Sequence, residues 1–122
     1  MENFEIHTTP LEKISIDTNS IEIFLDDINE NRYRISAGPY QAIRIVSIDF
    51  VSSEDYYNKF CFRDGRYHRH ILQIEKSDFL SELIKMTSNT DIISNAKHFA
   101  FPLQEILIEI IVYELNVERI IE

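Results

Sequence analysis

The sequence predicts an α+β fold in which one helix packs on a mainly antiparallel sheet of about six to eight strands joined by hairpins. Short β-branched segments recur along the chain and are separated by turns rich in Asn, Asp and Ser. Only one segment, near residue 80, combines helical spacing of apolar side chains with a capping residue. Because 122 residues suit one domain, we expect residues 1–122 to form a single globular unit.

The N-terminal part of the chain predicts three or more strands. Residues 13–17 alternate as a short strand, and residues 21–25 are a stronger strand signal that ends in the turn-forming residues 26–31. Residues 32–36 alternate polar and apolar side chains, as the return strand of a hairpin should. Residues 40–50 mix polar and apolar side chains on both faces of the predicted strand. This pattern indicates a central strand or a strand with a bulge.

A hairpin is predicted around Asp64-Gly65, since this dipeptide favours a two-residue type I′ turn. Counting outward from the turn pairs Arg63 with Arg66 and Phe62 with Tyr67. Alternation along the two strands then predicts one polar face, which comprises Lys59, Cys61, Arg63, Arg66, His68 and His70.

The predicted helix begins near Ser77-Asp78, where either side chain can cap exposed backbone N–H groups, and continues to Met86. Its apolar stripe comprises Phe79, Leu80, Leu83 and Ile84. We expect this stripe to lie across a sheet.

The C-terminal part predicts a strand at residues 98–101, ended by Pro102. Residues 106–121 fit either a strand or a helix, and their Ile and Val content favours a strand. In this region His98 is expected to be a surface or hydrogen-bonded core residue, and Glu105 and Glu109 to be solvated.

The charge of the chain is acidic and unevenly spread. The net charge of −9 argues against a nucleic-acid binder. Residues 1–31 and 77–122 are acidic, whereas residues 32–76 contain eight basic and five acidic side chains. A basic middle therefore lies between two acidic flanks.

The sequence predicts a cytoplasmic protein, from its cysteine content, its N-terminus and the length of its apolar stretches. A single cysteine excludes an intramolecular disulfide, and the N-terminus lacks the pattern of a secretory signal. No apolar stretch approaches the ~20 residues that a membrane helix needs.

Cys61, His68 and His70 are the only residues whose pattern suggests a metal site or a thiol nucleophile. Nearby Lys59, Arg63 and Arg66 would repel a cation, and the chain contains none of the common catalytic or phosphate-binding motifs. We therefore expect no metal, no cofactor and no enzymatic activity.

Two surfaces are candidates for binding. A dense acidic group, comprising Glu22, Asp26, Asp27 and Glu30, could steer a basic protein partner onto the chain, although acidic side chains also serve solubility. Alternatively Arg63, Arg66 and Arg69, interleaved with aromatic residues, could bind a phosphate-bearing ligand.

The order of these segments resembles a group of small bacterial proteins. The strand and turn at residues 21–31, the strands around residues 32–35 and 42–44, and a late hairpin over residues 98–110 carry the resemblance. Some of these proteins are immunity proteins encoded beside polymorphic or contact-dependent toxins. The resemblance implies a non-enzymatic role, in which a tight complex blocks a toxin domain that is often a basic nuclease. It transfers no functional residues, because immunity families vary most where they touch the toxin.

Overall fold

The computed structural model describes residues 6, 13–47, 62–63, 66–67, 71–87, 95–103 and 105–121, with residues 62–63 and 66–67 described by their backbone pairing. In chain order the elements are β1 (Lys13–Ile16), β2 (Ile21–Asp26), β3 (Arg32–Ala37), β4 (Tyr40–Ser47), β5 (Phe62–Arg63), β6 (Arg66–Tyr67), β7 (Leu72–Ile74), α1 (Asp78–Met86), β8 (Lys97–Pro102), β9 (Ile106–Val112) and β10 (Asn116–Arg119).

The strands form two four-stranded antiparallel sheets and one short hairpin. Sheet 1 has the order β1-β2-β3-β10, sheet 2 has the order β4-β9-β8-β7, and β5 pairs with β6. The predicted α+β fold is confirmed, and the residues that the structure describes contain one helix and two main sheets.

Alternation along β2 and β3, the two inner strands of sheet 1, creates one buried face. In β2, Ile21, Ile23 and Leu25 are buried, while the intervening side chains are half-buried on the outer face. The inner faces of the two sheets share one hydrophobic core, which comprises Ile6, Ile21, Ile23, Leu25, Ile35, Ala37, Ile71, Phe99, Phe101, Leu103, Ile108, Ile110 and Val112.

Strand β9 is buried on both faces, since six of its seven residues are buried. Ile108 and Ile110 belong to the core between the sheets, whereas Ile111, on the opposite face, packs in a second cluster with residues of α1. Sheet 2 is therefore the middle layer, between sheet 1 and the helix.

Helix α1 begins where the sequence predicts. Ser77 is the N-cap, and its Oγ accepts a hydrogen bond from the Leu80 backbone N–H at 2.9 Å. The predicted apolar stripe is confirmed, because Phe79, Leu80, Leu83 and Ile84 pack in the second cluster with Ala42, Ala96, Ile111 and Tyr113.

The two sheets are joined by a bent ribbon of two antiparallel chain segments. One segment leaves β3 at Ala37 and enters β4 at Tyr40, and the other leaves β9 at Val112 and enters β10 at Asn116. Ser36 pairs with Asn116 in sheet 1, and Tyr40 pairs with Val112 in sheet 2. The same two segments are thus paired on both sides of the bend.

Gly38 lies in this bend, and close approach of the backbone explains its presence. A Cβ atom there would lie 3.0 Å from the Asn19 carbonyl oxygen and 3.1 Å from the Ser20 Cβ. Any larger residue would therefore press on the turn between β1 and β2.

The other predictions for the strands have clear outcomes. Residues 106–121 contain the strands β9 and β10 and no helix. Residues 40–50 were expected to be a central strand or a bulged one, and their described part is β4. The bulge is confirmed, because the register of β4 shifts between Tyr40 and Ala42, whereas among the described strands β4 lies at a sheet edge and not at the centre. The hairpin register is confirmed for its two described pairs, Phe62 with Tyr67 and Arg63 with Arg66.

Candidate functional site

The structure brings three of the four predicted acidic residues together at one end of sheet 1. Asp26 ends β2, and Asp27 and Glu30 lie in the connection to β3. Glu22 lies near the start of β2, away from the turn. It is on the same outer face as Asp26 and opposite Ser15 and Ser36. We call residues 26–31 the acidic turn.

Arginines of β3 neutralise part of the acidic charge on the outer face of sheet 1. Asp26 forms a salt bridge with Arg32, its cross-strand partner, at 3.2 Å. Arg34 forms another with Glu118 of β10. This face therefore has mixed charge, although the chain is acidic as a whole.

Asp27 holds the acidic turn in one conformation. Its Oδ1 accepts hydrogen bonds from the backbone N–H groups of Asn29 and Asn31, both at 2.9 Å, and its Oδ2 accepts one from the Asn31 side chain at 3.3 Å. Arg119 of β10 donates a bond of 2.7 Å to Asn31 Oδ1. The turn is thus fixed by its own polar groups and by the neighbouring strand.

These hydrogen bonds also set the ionisation of Asp27. Partial burial acts to raise the pKa of its carboxyl group, but hydrogen bonds from Asn31, Asn29 and the Tyr33 side chain outweigh burial. The pKa is consequently lowered from the ordinary value of 3.8.

The tip of the acidic turn points into solvent. Ile28 is 53% exposed, and Asn29 and Glu30 are also exposed. Glu30 has a positive φ of 63°, a conformation that few residues other than glycine adopt. The turn therefore presents one aliphatic side chain beside acidic groups, on a constrained backbone.

A second group of polar side chains lies between sheet 2 and the start of α1, and all of its members except Arg44 are buried. Glu109, at the middle of β9, is only 2% exposed, and His98 of β8 is 3% exposed. His98 Nε2 lies 3.0 Å from Glu109 Oε1, and Arg44 Nε of β4 donates a hydrogen bond to Glu109 Oε2 at 2.5 Å. His98 Nδ1 lies 2.7 Å from Ser77 Oγ. We call Ser77, His98, Glu109 and Arg44 the polar cluster.

The tautomer of His98 with a proton on Nε2 satisfies both bonds of the imidazole. The imidazole then donates to Glu109 and accepts from the Ser77 hydroxyl. Ser77 Oγ in turn accepts from the Leu80 N–H, so the relay continues into the backbone of the helix. The charge of Glu109 is balanced by Arg44.

Phe79 covers the cluster from the first turn of α1. Its ring contacts His98 edge-on, with centroids 5.6 Å apart, and the Arg44 guanidinium lies 4.3 Å from the ring centroid on the other side. Such a cation–π contact adds to the attraction between Arg44 and the helix.

The order serine, histidine, carboxylate is also that of the triads in hydrolases that use a serine nucleophile. Here the Ser77 hydroxyl serves as a helix cap, and both Ser77 and His98 are buried. A substrate could reach Ser77 only after α1 moved. While α1 lies on sheet 2, the hydrogen bonds of the cluster attach the helix to the sheet.

The sequence did not predict the polar cluster. The expectation that Glu109 is solvated is wrong, because the residue lies on a strand buried on both faces, whereas Glu105 is exposed as expected. His98 was expected at the surface or hydrogen-bonded in the core, and the second alternative is confirmed. The sequence contains one signal for the cluster: a carboxylate within the Ile-rich segment of residues 106–112 indicates a buried acidic side chain that needs polar partners.

The other predicted site residues lie largely beyond the described part of the chain. Cys61, His68, His70 and Arg69 fall outside it, and Arg63 and Arg66 are described only as a backbone pair. Within the described residues, no three His, Cys, Asp or Glu side chains are grouped to hold a metal ion. The same residues include no helix with the length and apolar character needed to cross a membrane.

The class of protein that fold and site define is an antiparallel two-sheet α+β domain with a helix on one outer face. No family model matches the chain, and no curated protein or solved structure gives a match either.

Replacing Asp27 with Asn should change how stability depends on pH. Because the pKa of Asp27 is lower in the folded state, its carboxylate contributes stability above about pH 4, and this contribution is lost as pH falls through the folded pKa. The unfolding free energy of the unmodified protein should therefore fall more steeply below about pH 4 than that of Asp27→Asn. Urea midpoints measured across this pH range test this.

Glu30→Gln is the control for Asp27→Asn, since Glu30 is an exposed carboxylate in the same turn and forms no ion pair with a described residue. Its pH dependence should follow that of the unmodified protein. Parallel curves for the unmodified protein and Asp27→Asn would contradict the role assigned to Asp27.

Replacing Glu109 with Ala should destabilise the fold by about 1–3 kcal/mol, because the buried His98 would lose a hydrogen-bond partner, whereas Arg44, whose side chain is 45% exposed, can bind water instead. Glu105→Ala removes an exposed carboxylate nearby and should change stability by less than about 0.5 kcal/mol. Chemical denaturation of both variants measures the difference. Equal stabilities would show that the cluster contributes nothing to folding.

Proposed function

We propose that this chain is a non-enzymatic interaction protein of the immunity type, which binds a basic toxin domain through the acidic turn and blocks its active site. The observation that carries the proposal is the fixed geometry of the turn, which exposes Ile28 while Asp27 is fully engaged in holding the backbone.

The charge that remains at the turn favours a basic partner. Asp26 is paired with Arg32, but Asp27 and Glu30 form no ion pair with the residues described. The three carboxylates of the turn outnumber the adjacent Arg32 and Arg119, so a negative balance remains that can attract lysines or arginines and raise the rate of association.

Ile28 supplies the apolar contact that charge alone lacks. Energetically dominant contacts in protein interfaces are side chains that fill a pocket on the partner and are surrounded by polar groups. Ile28 is the exposed aliphatic side chain of the turn, and Asn29 and Glu30 lie beside it. We expect the toxin domain to receive Ile28 in an apolar pocket bordered by basic residues.

The rigidity of the turn favours tight binding. Ordering a flexible loop on association lowers affinity, whereas a loop already held in its bound shape avoids this loss. The bonds from Asn29, Asn31 and Arg119 hold the backbone of the acidic turn before any partner arrives. Such preorganisation suits an inhibitor that must act at low concentration.

The proposal predicts that the immobilised chain captures a basic protein from a lysate of its source cells at low salt and releases it at high salt, because ions screen the attraction. The double variant Ile28→Asp with Glu30→Lys should bind the captured protein at least about 30-fold more weakly, as expected for loss of an anchor residue. Titration calorimetry with the purified partner measures the affinity.

The matched control is Met86→Asp with Glu105→Lys, which makes the same chemical changes at two exposed positions away from the turn. It should bind like the unmodified chain. Expression of the captured protein in bacteria should stop growth, and coexpression of the unmodified chain, but not of the turn variant, should restore it. The proposal would be refuted if the captured protein did not stop growth, or if the turn variant protected the cells as well as the control variant.

The alternative function, binding of a phosphate-bearing ligand by Arg63, Arg66 and Arg69, has one supporting observation. The described backbone register pairs Arg63 with Arg66, and two basic residues at opposing positions are a pattern that favours an anionic ligand.

If the hairpin binds phosphate groups, nucleotides or short RNA should raise the melting temperature of the unmodified protein. The triple variant with Ala at Arg63, Arg66 and Arg69 should show no such rise, and a variant with Ala at the exposed Lys85 and Lys97 is the control. If none of these ligands changes the melting temperature of the unmodified protein, the alternative function is wrong.

A further inference from the structure

Helix α1 depends on its docking for stability. It has nine residues, which is shorter than isolated helices need to be stable in water, and none of its side chains is fully buried. Its stripe of four apolar side chains is half-buried, and its last residue, Met86, is 81% exposed. Separated from sheet 2, this segment would lose its helical structure.

The main core does not include the helix. No described residue of α1 belongs to the hydrophobic core between the two sheets. The cluster under the helix contains only two fully buried residues, Ala96 and Ile111. The helix could therefore leave sheet 2 while the sandwich of the two sheets stayed packed.

The polar attachment of the helix is concentrated at its first turn. Ser77 joins the Leu80 N–H to His98 Nδ1, and Phe79 contacts both His98 and Arg44. Further along, the helix is held by the apolar side chains of Leu83 and Ile84. Between the described residues, the bond between Ser77 and His98 is thus a specific polar link from helix to sheet.

The junction before the helix has the geometry of a hinge. Lys76, between β7 and the N-cap, has a positive φ of 54°, which is unfavourable for a residue with a side chain. This conformation is imposed while the helix is docked, because the chain must turn from the edge of sheet 2 onto its outer face. Release of the helix would allow Lys76 to relax.

We propose that α1 is a releasable cover over the polar cluster, which opens about Lys76 as one unit and is locked by the hydrogen bond between Ser77 and His98. In the open state His98, Glu109 and Ile111 would become accessible on the outer face of sheet 2. The chain would then have two states with the same sandwich core. This inference does not depend on the acidic turn or on the proposed partner.

Amide hydrogen exchange of the whole chain, followed by NMR, tests the proposal. In the unmodified protein, amides of residues 81–86 should exchange through an opening that leaves β2 and β9 protected. Ser77→Ala removes both the cap and the lock, and should accelerate exchange of the helix about tenfold without a comparable change in β9.

Two further variants separate the lock from the cap. Ser77→Gly retains most of the capping preference but lacks the hydroxyl that binds His98, so it should also accelerate exchange of the helix. Ser81→Ala, on the exposed side of α1, is the control and should leave exchange unchanged. If Ser77→Gly behaves like Ser81→Ala, the lock does not exist.

The unmodified protein alone can also overturn the proposal. If the amides of α1 and β9 exchange with one common opening free energy, the helix leaves only when the whole domain unfolds. Equal acceleration of helix and β9 in the Ser77 variants would lead to the same conclusion.

Discussion

The burial of one carboxylate, that of Glu109, constrains the arrangement of sheet 2 and its helix. A charge on a strand buried on both faces is tolerated only when partners occupy its hydrogen-bonding positions. Arg44 and His98 provide these from the two neighbouring strands, and the second imidazole nitrogen extends the network to Ser77. A shift of β4 or β8 by one residue would turn Arg44 or His98 to the other face, so the cluster fixes register as well as charge.

The uneven charge along the sequence has a structural use. Three arginines of the basic middle each pair with a carboxylate from an acidic flank: Arg32 with Asp26, Arg34 with Glu118, and Arg44 with Glu109. Much of the charge segregation is thus internal complementarity between strands. These pairs leave the net charge of −9 unchanged, and two of the carboxylates outside such pairs, Asp27 and Glu30, lie in the acidic turn.

Local features were predictable because they depend on neighbours in sequence. The cap at Ser77, the alternation in β2 and the pairing of Phe62 with Tyr67 each follow from a few adjacent residues. The division into two sheets depends on pairs such as Ser36 with Asn116, which no local pattern encodes. The acidic turn was located from its composition, but its ion pair with Arg32 was not. Glu109 was misjudged because its surroundings come from three strands and a helix.

The bent ribbon also determines how the chain must assemble. Strands β1, β2 and β3 are joined by short turns and can pair early, but the contact of Arg34 with Glu118 spans 84 positions and that of Arg44 with Glu109 spans 65. Folds dominated by such distant pairs form slowly, because long loops must close, with a loss of chain entropy, before packing contacts stabilise the structure. Until β10 arrives, the free edge of β3 is open to pairing with other chains, so a newly made chain is most exposed to aggregation before its last strand is in place.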